Sequence, residues 1–351
     1  MSAKPRLSVL VSATLDQFLD DLLRGLSDTY EVRKWTVHST DEVDAALAWG
    51  DLIWLEWCND VAVYASTRPE AVAKPVVCRL HRFEVFSDYP GQVAWPQIDR
   101  LLVVAPHLET LLKTRWPNLP AQPHIEVFRN GVDLERYDLA PPADHHQLAF
   151  VGYLHARKSP VLLLQVLAAL VANDARYRLS IAGTFQDPML EWYWSHQVQA
   201  FGLQDHVQFD GWQEDMAAWL ADKHTLLSTS LHESFGYAIA EAMARGRRAV
   251  IHHFPCAEEI WPHELLFRTV EEAVELIEAP AAEGAQYRRF VEKQYDLRAQ
   301  VAQARRVLDE LAAGRTSRPA PRPADSFLDR PGLLRTLTDR LVKTVAADGH
   351  P

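Results

Sequence analysis

Two glutamates lie on either side of a serine and a glycine in the stretch Ser228–Gly246, STSLHESFGYAIAEAMARG. The apolar and β-branched residues of Thr225–Thr229 predict a buried strand, and the residues after Gly236 predict a helix. We expect Ser234 to be the helix N-cap and Gly236 to let a ligand approach the backbone closely. Backbone N–H groups at such a helix start form an anion site. These groups belong to Phe235, Gly236, Tyr237 and Ala238.

The two glutamates, Glu233 and Glu241, extend this chemistry. Helical side chains lean toward the N-terminus, so Glu241 reaches along the first turn. An ionised carboxylate only accepts hydrogen bonds, so each glutamate requires a donor such as a sugar hydroxyl. A phosphate flanked by hydroxyls describes a nucleotide sugar. The same residues fit an ordinary strand, cap and amphipathic helix equally well, with Ile239 and Met243 in the core and both glutamates in water.

The segment Glu233–Ala244, ESFGYAIAEAMA, resembles the Glu-x7-Glu signature of retaining GT-B glycosyltransferases of the family 4 type, also called glycosyltransferase group 1. The resemblance implies an α/β fold of two Rossmann-like, doubly wound domains that face each other across a cleft. It also implies that Glu233 contacts the hydroxyls of the donor sugar and that Glu241 binds the ribose.

Composition limits the classes of partner. The chain has 351 residues, of which 48% are hydrophobic, enough for two domains with separate cores. A formal net charge of −11 argues against nucleic acid or an anionic membrane as the main partner. The chain has three cysteines, Cys58, Cys78 and Cys256. Because their number is odd and their spacing is wide, they indicate thiols in a reducing compartment. Because no signal peptide or long apolar span is apparent, we expect a cytoplasmic protein.

Short apolar runs alternate with helical patterns along the chain. In the first half they predict strands at Leu7–Val11, Tyr30–Trp35, Leu52–Trp57, Val76–Leu80, Leu101–Val104 and Ile125–Phe128, with helices such as Leu15–Leu26 and Pro106–Arg115. In the second half they predict strands at Leu148–Val151, Tyr177–Ala182, Val207–Phe209, Thr225–Thr229 and Arg248–His252. Each half is therefore expected to be a doubly wound domain with a parallel sheet.

The polar, proline-containing stretch Ala140–Gln147 predicts a linker between the halves. We expect an acceptor domain over residues 1–140 and a donor domain over residues 146–313, which ends in an amphipathic helix at Leu297–Ala312. Residues 314–351 are expected to form a proline- and arginine-rich linker and a C-terminal helix. The apolar stripe of that helix would dock on the first domain, mediate self-association or lie on a membrane surface.

The segment Phe150–Pro160, FVGYLHARKSP, lies where the first strand of the second domain ends. Its basic pair, Arg157 and Lys158, would neutralise charge on a departing diphosphate, although a solvated basic pair before a helix is also common. The segment resembles the family motif Gly-Arg-Leu-x-x-x-Lys-Gly, with Gly152 and Lys158 in place and Tyr153 where the family has arginine. The resemblance implies a catalytic role for Lys158, and Arg157 is expected to assist it, whereas the motif does not decide if Arg157 replaces the missing arginine.

Three further segments resemble parts of the same family. Asn130–Tyr137 is similar to Asn-Gly-Val-Asp-x-x-x-Phe, whose tight turn indicates a structural role. Gly183 matches a strand-end glycine that admits the ligand. Gly211 and Trp212 occupy the place where the family reads the base, although Trp212 fits a core position as well. These residues do not distinguish uracil, guanine and adenine.

His81 follows the predicted strand Val76–Leu80. The resemblance implies a histidine here that donates a hydrogen bond to the donor sugar, and the alternative is a histidine satisfied by loop backbone. Arg82 stands where the family commonly has aspartate. Arg82 and Glu84 are the candidate contacts with the acceptor.

Together these features predict a retaining glycosyltransferase that moves a sugar from a UDP- or GDP-sugar to a hydroxyl of a glycan, lipid-linked sugar, protein or metabolite. No Asp-x-Asp occurs at a strand end, so we expect no metal and no cofactor beyond the nucleotide-sugar co-substrate. A nucleotide-sugar 2-epimerase of the same fold and a catalytically silent binding module are the alternatives. Incubation with the donor alone distinguishes the two enzymes, because an epimerase converts the donor to a new nucleotide sugar whereas a transferase requires an acceptor.

Overall fold

The computed structural model describes residues 3–12, 17–117, 119, 123–141 and 143–314. The chain divides into two compact units, one formed by residues 1–131 with the helix that begins at Leu297, the other by Val132–Asp296. The predicted C-terminal helix and most of the loop after the first strand lie outside the described residues.

The first unit begins with alternating strands and helices. Its strands are β1 (Arg6–Ser12), β2 (Glu31–Val37), β3 (Leu52–Glu56), β4 (Val76–Leu80), β5 (Arg100–Val103) and β6 (His124–Val127). Its helices up to this point are α1 (Asp20–Leu26), α2 (Thr40–Trp49), α3 (Asp60–Ala65), α4 (Pro69–Val72), α5 (Arg82–Val85) and α6 (Pro106–Arg115). All strands are parallel in the order β2-β1-β3-β4-β5-β6.

The second unit repeats this plan. Its strands are β7 (Gln147–Val151), β8 (Arg178–Ala182), β9 (Val207–Phe209), β10 (Thr225–Ser228), β11 (Arg248–His252) and β12 (Leu266–Phe267). Its helices are α7 (Pro160–Asn173), α8 (Pro188–Ala200), α9 (Met216–Trp219), α10 (Tyr237–Ala244), α11 (Val270–Glu278) and α12 (Gly284–Tyr295). The strands are again parallel, in the order β12-β11-β10-β7-β8-β9.

These observations confirm the predicted fold class of two doubly wound parallel sheets. The central strands β3 and β4 are buried along their whole length, because helices cover both faces of a parallel sheet. Continuous apolar runs therefore marked these strands in the sequence. The short strand β12 was not predicted, since two residues carry no detectable periodicity.

The last described helix, α13 (Leu297–Ala313), groups with the first unit, whereas the sequence analysis assigned it to the second domain. A side chain at Gly25 of α1 would lie 2.5 Å from Val301, so α1 and α13 pack closely. Arg305 also donates to the Gly25 carbonyl. An amphipathic pattern shows that one face is buried but not which core covers it.

The strand order of the second sheet reverses beside β7. The chain adds β8 and β9 on one side of β7 and then returns to place β10 on the other side, with Thr225 opposite Leu148. The loops that leave the carboxyl ends of β7 and β10 therefore begin next to each other. Ligands of open α/β sheets bind at such a switch point.

The helices of the described residues include none that combines the length and the apolar character needed to cross a bilayer.

Candidate active site

The loop after β7 depends on two glycines. A side chain at Gly183 would place its Cβ 2.0 Å from the Gly152 carbonyl oxygen, so the loops after β7 and β8 touch through bare backbone. Gly152 has a φ of +131°, and a Cβ there would lie 3.3 Å from Cε of Lys158. The missing side chain leaves the path along which Lys158 crosses the end of the strand.

The loops after β7 and β10 are joined directly. The backbone N–H of Leu231 donates to the Arg157 carbonyl at 2.8 Å, and the Thr229 hydroxyl donates to the Lys158 carbonyl at 2.8 Å. These bonds orient the short 3₁₀ turn Ala156–Lys158 against the start of the second loop. The backbone of the basic pair is thus fixed by contacts with the loop after β10.

The Glu233 carboxylate accepts hydrogen bonds from both members of the basic pair. Its Oε1 accepts from Lys158 Nζ at 2.7 Å, from Arg157 Nη1 at 3.1 Å and from the Ser230 hydroxyl at 2.8 Å. The side chains of Lys158 and Arg157 are 15% and 10% exposed, so both reach the surface beside this carboxylate. The structure therefore brings together three residues that the sequence predicted from separate motifs. A phosphate oxygen offers these cations the same kind of acceptor as Glu233 does.

Helix α10 begins later than predicted. Its N-cap is Gly236, with a φ of +90°, and Ser234 lies two residues before the cap. The prediction that Ser234 caps the helix is therefore wrong, because the left-handed turn needed here is easily adopted by glycine. Ile239 N donates to the Gly236 carbonyl at 3.0 Å, which starts the helical turn.

Phe235 has a different part in this helix start. Its side chain is buried and lies edge-on to Tyr237 and Tyr295, with ring centroids 4.9 Å apart in each pair. Only its backbone is placed to contact a ligand. Tyr237 and Ala238 are half-buried in the first turn of α10.

Glu241 is half-buried one turn into α10. Burial raises the pKa of its carboxyl group, and a hydrogen bond from Tyr137 acts in the opposite direction. Tyr137 was not predicted from the sequence, because the Asn130–Tyr137 segment indicated only a structural turn. One feature of the sequence could have indicated it: this chain has a tyrosine at the position where the similar family motif ends in phenylalanine.

Gly211 and Trp212 follow β9 at the same edge of the sheet. Gly211 has a φ of +69°, and Trp212 is 53% exposed rather than part of the core. The Trp212 ring stacks on Tyr153 with centroids 6.0 Å apart and planes 28° apart. Tyr153 thus supplies an aromatic surface where the similar family has a cation.

His81, in the first unit, belongs to a buried charged network. Glu56 accepts from His81 Nε2 at 2.7 Å, from Arg79 Nη1 at 3.1 Å and from Trp54 Nε1 at 2.7 Å. Burial lowers the pKa of His81, while the pKa of Glu56 is lowered by Arg79 and His81 against its own desolvation. A neutral His81 that donates through Nε2 keeps Nδ1 as an acceptor only. This geometry gives no support to the predicted donation from His81 to a sugar.

Glu84 lies within the short helix α5 that follows His81. It is fully buried, and its carboxylate accepts from the backbone N–H of Cys58 at 2.9 Å. Burial raises the pKa of Glu84 to about 8, against the effect of these backbone hydrogen bonds. Arg82, the first residue of α5, is half-buried. Contact of Glu84 and Arg82 with an acceptor stays a prediction.

One group of described side chains has the geometry to hold a metal ion. Ligand atoms of Asp144, His145 and His146 lie within 4.8 Å of one another. They precede β7, at the opposite end of the strand from Lys158. Both ring nitrogens of His146 already pair with carboxylates, Asp144 at 2.7 Å and Asp174 at 3.2 Å.

Comparison with known proteins matches this second unit to an enzyme family. Residues 145–281 match the model of the family described as Glycosyl transferases group 1. No curated protein matches the chain in sequence.

Solved structures share the fold across both units. Alr3699/HepE from Anabaena, in complex with UDP and glucose, is 17% identical with a TM-score of 0.71 over 88% of this chain and 100% of that chain. Sucrose-phosphate synthase from Thermosynechococcus elongatus is 15% identical with a TM-score of 0.67 over 89% and 100%. The pneumococcal O-GlcNAc transferase GtfA, in complex with UDP and GlcNAc, is 13% identical with a TM-score of 0.61 over 78% and 60%. This chain has the GT-B fold of such glycosyltransferases, and its second unit matches the group 1 glycosyltransferase family.

Proposed function

We propose that this protein is a retaining glycosyltransferase of the family 4 type that transfers a sugar from a nucleotide sugar to an acceptor hydroxyl. The second unit binds the donor, and the first unit provides the acceptor site. UDP-sugars are the first donors to examine, because the similar structures of Alr3699/HepE and GtfA contain UDP. The acceptor class is left open among glycans, lipid-linked sugars, proteins and metabolites.

The convergence of Arg157 and Lys158 on Glu233 carries this proposal. The three side chains lie at the switch point of the second sheet, directly before the N-terminus of α10. A diphosphate would take Lys158 and Arg157 as its partners and accept from the amides of the helix start. Glu233, released from its cations, would then accept from a donor-sugar hydroxyl.

Catalysis follows from the same arrangement. Charge grows on the departing diphosphate during transfer, and cations already oriented at that position stabilise the transition state more than the ground state. Lys158 has the main part and Arg157 assists. Since no metal takes part in this proposal, excess chelator should leave turnover unchanged, and loss of turnover with chelator would contradict metal independence.

A thermal-shift and calorimetry panel of UDP, GDP, ADP and their sugars tests the donor assignment. One nucleotide class should stabilise the protein, by about 2.7 kcal/mol at a concentration of 100 Kd. The wild-type chain should bind it through the second unit, so Arg157→Ala should weaken binding whereas Arg289→Ala, an exposed arginine of α12, should not. Absence of binding by any nucleotide would reject the proposal.

Product analysis then separates the activities. The wild-type enzyme with donor alone should yield almost no product, whereas addition of glycan or lipid-linked acceptors should yield a glycoside with the anomeric configuration of the donor by NMR. Conversion of the donor to an epimer would indicate an epimerase. Binding without any transfer or donor hydrolysis would indicate a silent module.

The assignment of Glu241 to the ribose has its own test. Glu241→Ala should weaken nucleotide binding by about tenfold, the effect of losing a hydrogen bond to a charged group. Glu275→Ala, on the exposed face of α11, is the control. Unchanged affinity of Glu241→Ala for the nucleotide would contradict the assignment.

We also place the reaction in the cytoplasm. Cys58, Cys78 and Cys256 are free thiols in the structure, the usual state of cysteines in a reducing compartment. Cell fractionation checks this placement.

A further inference from the structure

A cluster of Asp144, His145 and His146 lies before β7, at the opposite end of that strand from Lys158. Nδ1 of His145 lies 3.9 Å from Oδ1 of Asp144, and Nδ1 of His146 lies 2.7 Å from the same oxygen. The ligand atoms of a tetrahedral zinc ion lie about 3.3 Å apart, since each is about 2.0–2.1 Å from the metal. The two observed separations fall on either side of this value. Small rotations of the side chains would therefore bring all three around one ion.

His146 is the member of this cluster that the fold holds in place. Its side chain is 4% exposed, whereas those of Asp144 and His145 are 60% and 55% exposed. Its ring lies edge-on to Tyr177 with centroids 5.1 Å apart, and its carbonyl oxygen accepts from the backbone N–H of Arg178 in β8 at 2.9 Å. An ion that arrives from solvent thus meets one fixed ligand and two that can adjust to it.

The ring of His146 faces a carboxylate at each of its nitrogens. Nδ1 lies 2.7 Å from Oδ1 of Asp144, and Nε2 lies 3.2 Å from Oδ2 of Asp174. An ionised carboxylate only accepts hydrogen bonds, and a neutral imidazole carries one N–H, so the neutral ring can donate to only one of the two. A cation between Nδ1 and Asp144 would satisfy the other contact. The alternative is a second proton on the ring, which requires no metal.

Asp174 is placed as the outer partner of a metal-bound histidine. It follows the last residue of α7, and its Oδ1 accepts from the backbone N–H and from Nε of Arg176, each at 3.0 Å. A histidine that binds a metal almost always donates its other N–H to a carboxylate, a carbonyl or water, and this bond fixes the tautomer and the ring orientation. The contact of Asp174 with Nε2 therefore leaves Nδ1 of His146 for the ion.

We propose that Asp144, His145 and His146 bind a Zn²⁺ ion that fastens the segment before β7 to the amino ends of β7 and β8. Imidazole and carboxylate groups are zinc ligands, and three protein ligands leave the fourth position to water. The ion has a structural role and takes no part in sugar transfer, because it lies at the other end of β7 from Lys158. This inference does not rest on the proposed function.

Metal titration of the full chain, prepared without a histidine tag and freed of metal with chelator, tests the proposal with Zn²⁺ as the probe. Calorimetry should show one Zn²⁺ bound per wild-type chain. His145→Ala and Asp144→Asn should lose this binding and still fold, because both side chains are exposed. His196→Ala, an exposed histidine of α8, is the control and should bind as the wild type does. No binding by the wild type, or wild-type affinity of either cluster variant, would overturn the proposal.

Asp174→Asn tests the outer partner. The substitution keeps the size of the side chain but removes its charge, and it should weaken Zn²⁺ binding by about 10–100-fold without changing the stoichiometry. Asp205→Asn, an exposed aspartate before β9, is the matched control. Unchanged affinity of Asp174→Asn would contradict the orientation of His146 on which the site depends.

Stability and turnover separate this site from the donor site. Zn²⁺ that binds only the folded chain should raise the Tm of the wild type but not that of His145→Ala, and chelator should reverse the rise. Turnover measured below the lower Tm should stay unchanged. Absence of the rise in Tm, or loss of turnover with chelator at that temperature, would overturn the structural role. Failure to bind any nucleotide, with the effects of Zn²⁺ present, would reject the proposed function and leave the metal site supported.

Discussion

Each unit of this protein contains a buried glutamate that accepts hydrogen bonds from basic side chains near the carboxyl edge of its sheet. In the first unit Glu56 pairs with Arg79 at 3.1 Å, and neither side chain is exposed at all. In the second unit Glu233 pairs with Arg157 and Lys158, whose side chains keep 10% and 15% of their surface exposed. The two networks share a carboxylate and a guanidinium group, and they differ in the second basic side chain, His81 or Lys158, and in access to solvent.

That difference in access determines what each network can do. A fully buried ion pair cannot exchange partners without leaving an uncompensated charge in the core, so the Glu56 network keeps its partners within the first unit. The cations of the Glu233 network keep part of their surface exposed, so a phosphate can replace the carboxylate as their partner. We infer that the first network is structural and that the second is where a ligand binds.

The largest expected difference between the two networks is the loss of stability when the glutamate of each is replaced. Glu56→Ala leaves Arg79 buried without its charged partner, with Asn130 as a neutral acceptor, and should destabilise the protein by about 3–5 kcal/mol. Glu233→Ala should cost less than about 2 kcal/mol, because water can reach the cations it leaves. Urea unfolding of both variants measures the contrast, and equal losses would remove the distinction between the two sites.

Lys158 tests the same contrast by activity. Lys158→Ala should lower kcat by about 10²–10³-fold through lost stabilisation of the departing diphosphate, with a smaller effect on donor affinity. Steady-state kinetics and calorimetry measure the two effects. Lys293→Ala, an exposed lysine of α12, is the control. Equal losses in kcat and affinity would argue against a role in the transition state.

A further expected effect, within the first unit alone, concerns the pH dependence of stability. Burial raises the pKa of Glu84 to about 8, so the proton is bound more tightly in the folded chain. The stability this group contributes is fully present below about pH 4.5, its unfolded value, and is lost as the pH rises through about 8. The free energy of unfolding of the wild type should therefore fall more steeply between pH 5 and pH 8.5 than that of Glu84→Gln. If the free energies of unfolding of the two proteins have identical slopes against pH, the raised pKa of Glu84 is contradicted.

Local patterns in the sequence predicted the elements well. Pro106–Arg115 and Val76–Leu80 begin and end in the structure at the predicted residues, because periodicity and a starting proline act over neighbouring residues. The cap of α10 was misplaced by two residues, from Gly236 to Ser234. Serine is a favourable cap by type, but the backbone turn at this position is left-handed, and sequence preference alone does not reveal that geometry.

The sequence by itself determined the residue types, the strands and the motifs, including the glutamates and the basic pair. Only the tertiary structure decided that β10 pairs with β7, which brings Glu233 to Lys158 across 75 residues of sequence. The physical reason is that strand propensity depends on adjacent side chains, whereas strand order and burial depend on how distant segments share a core.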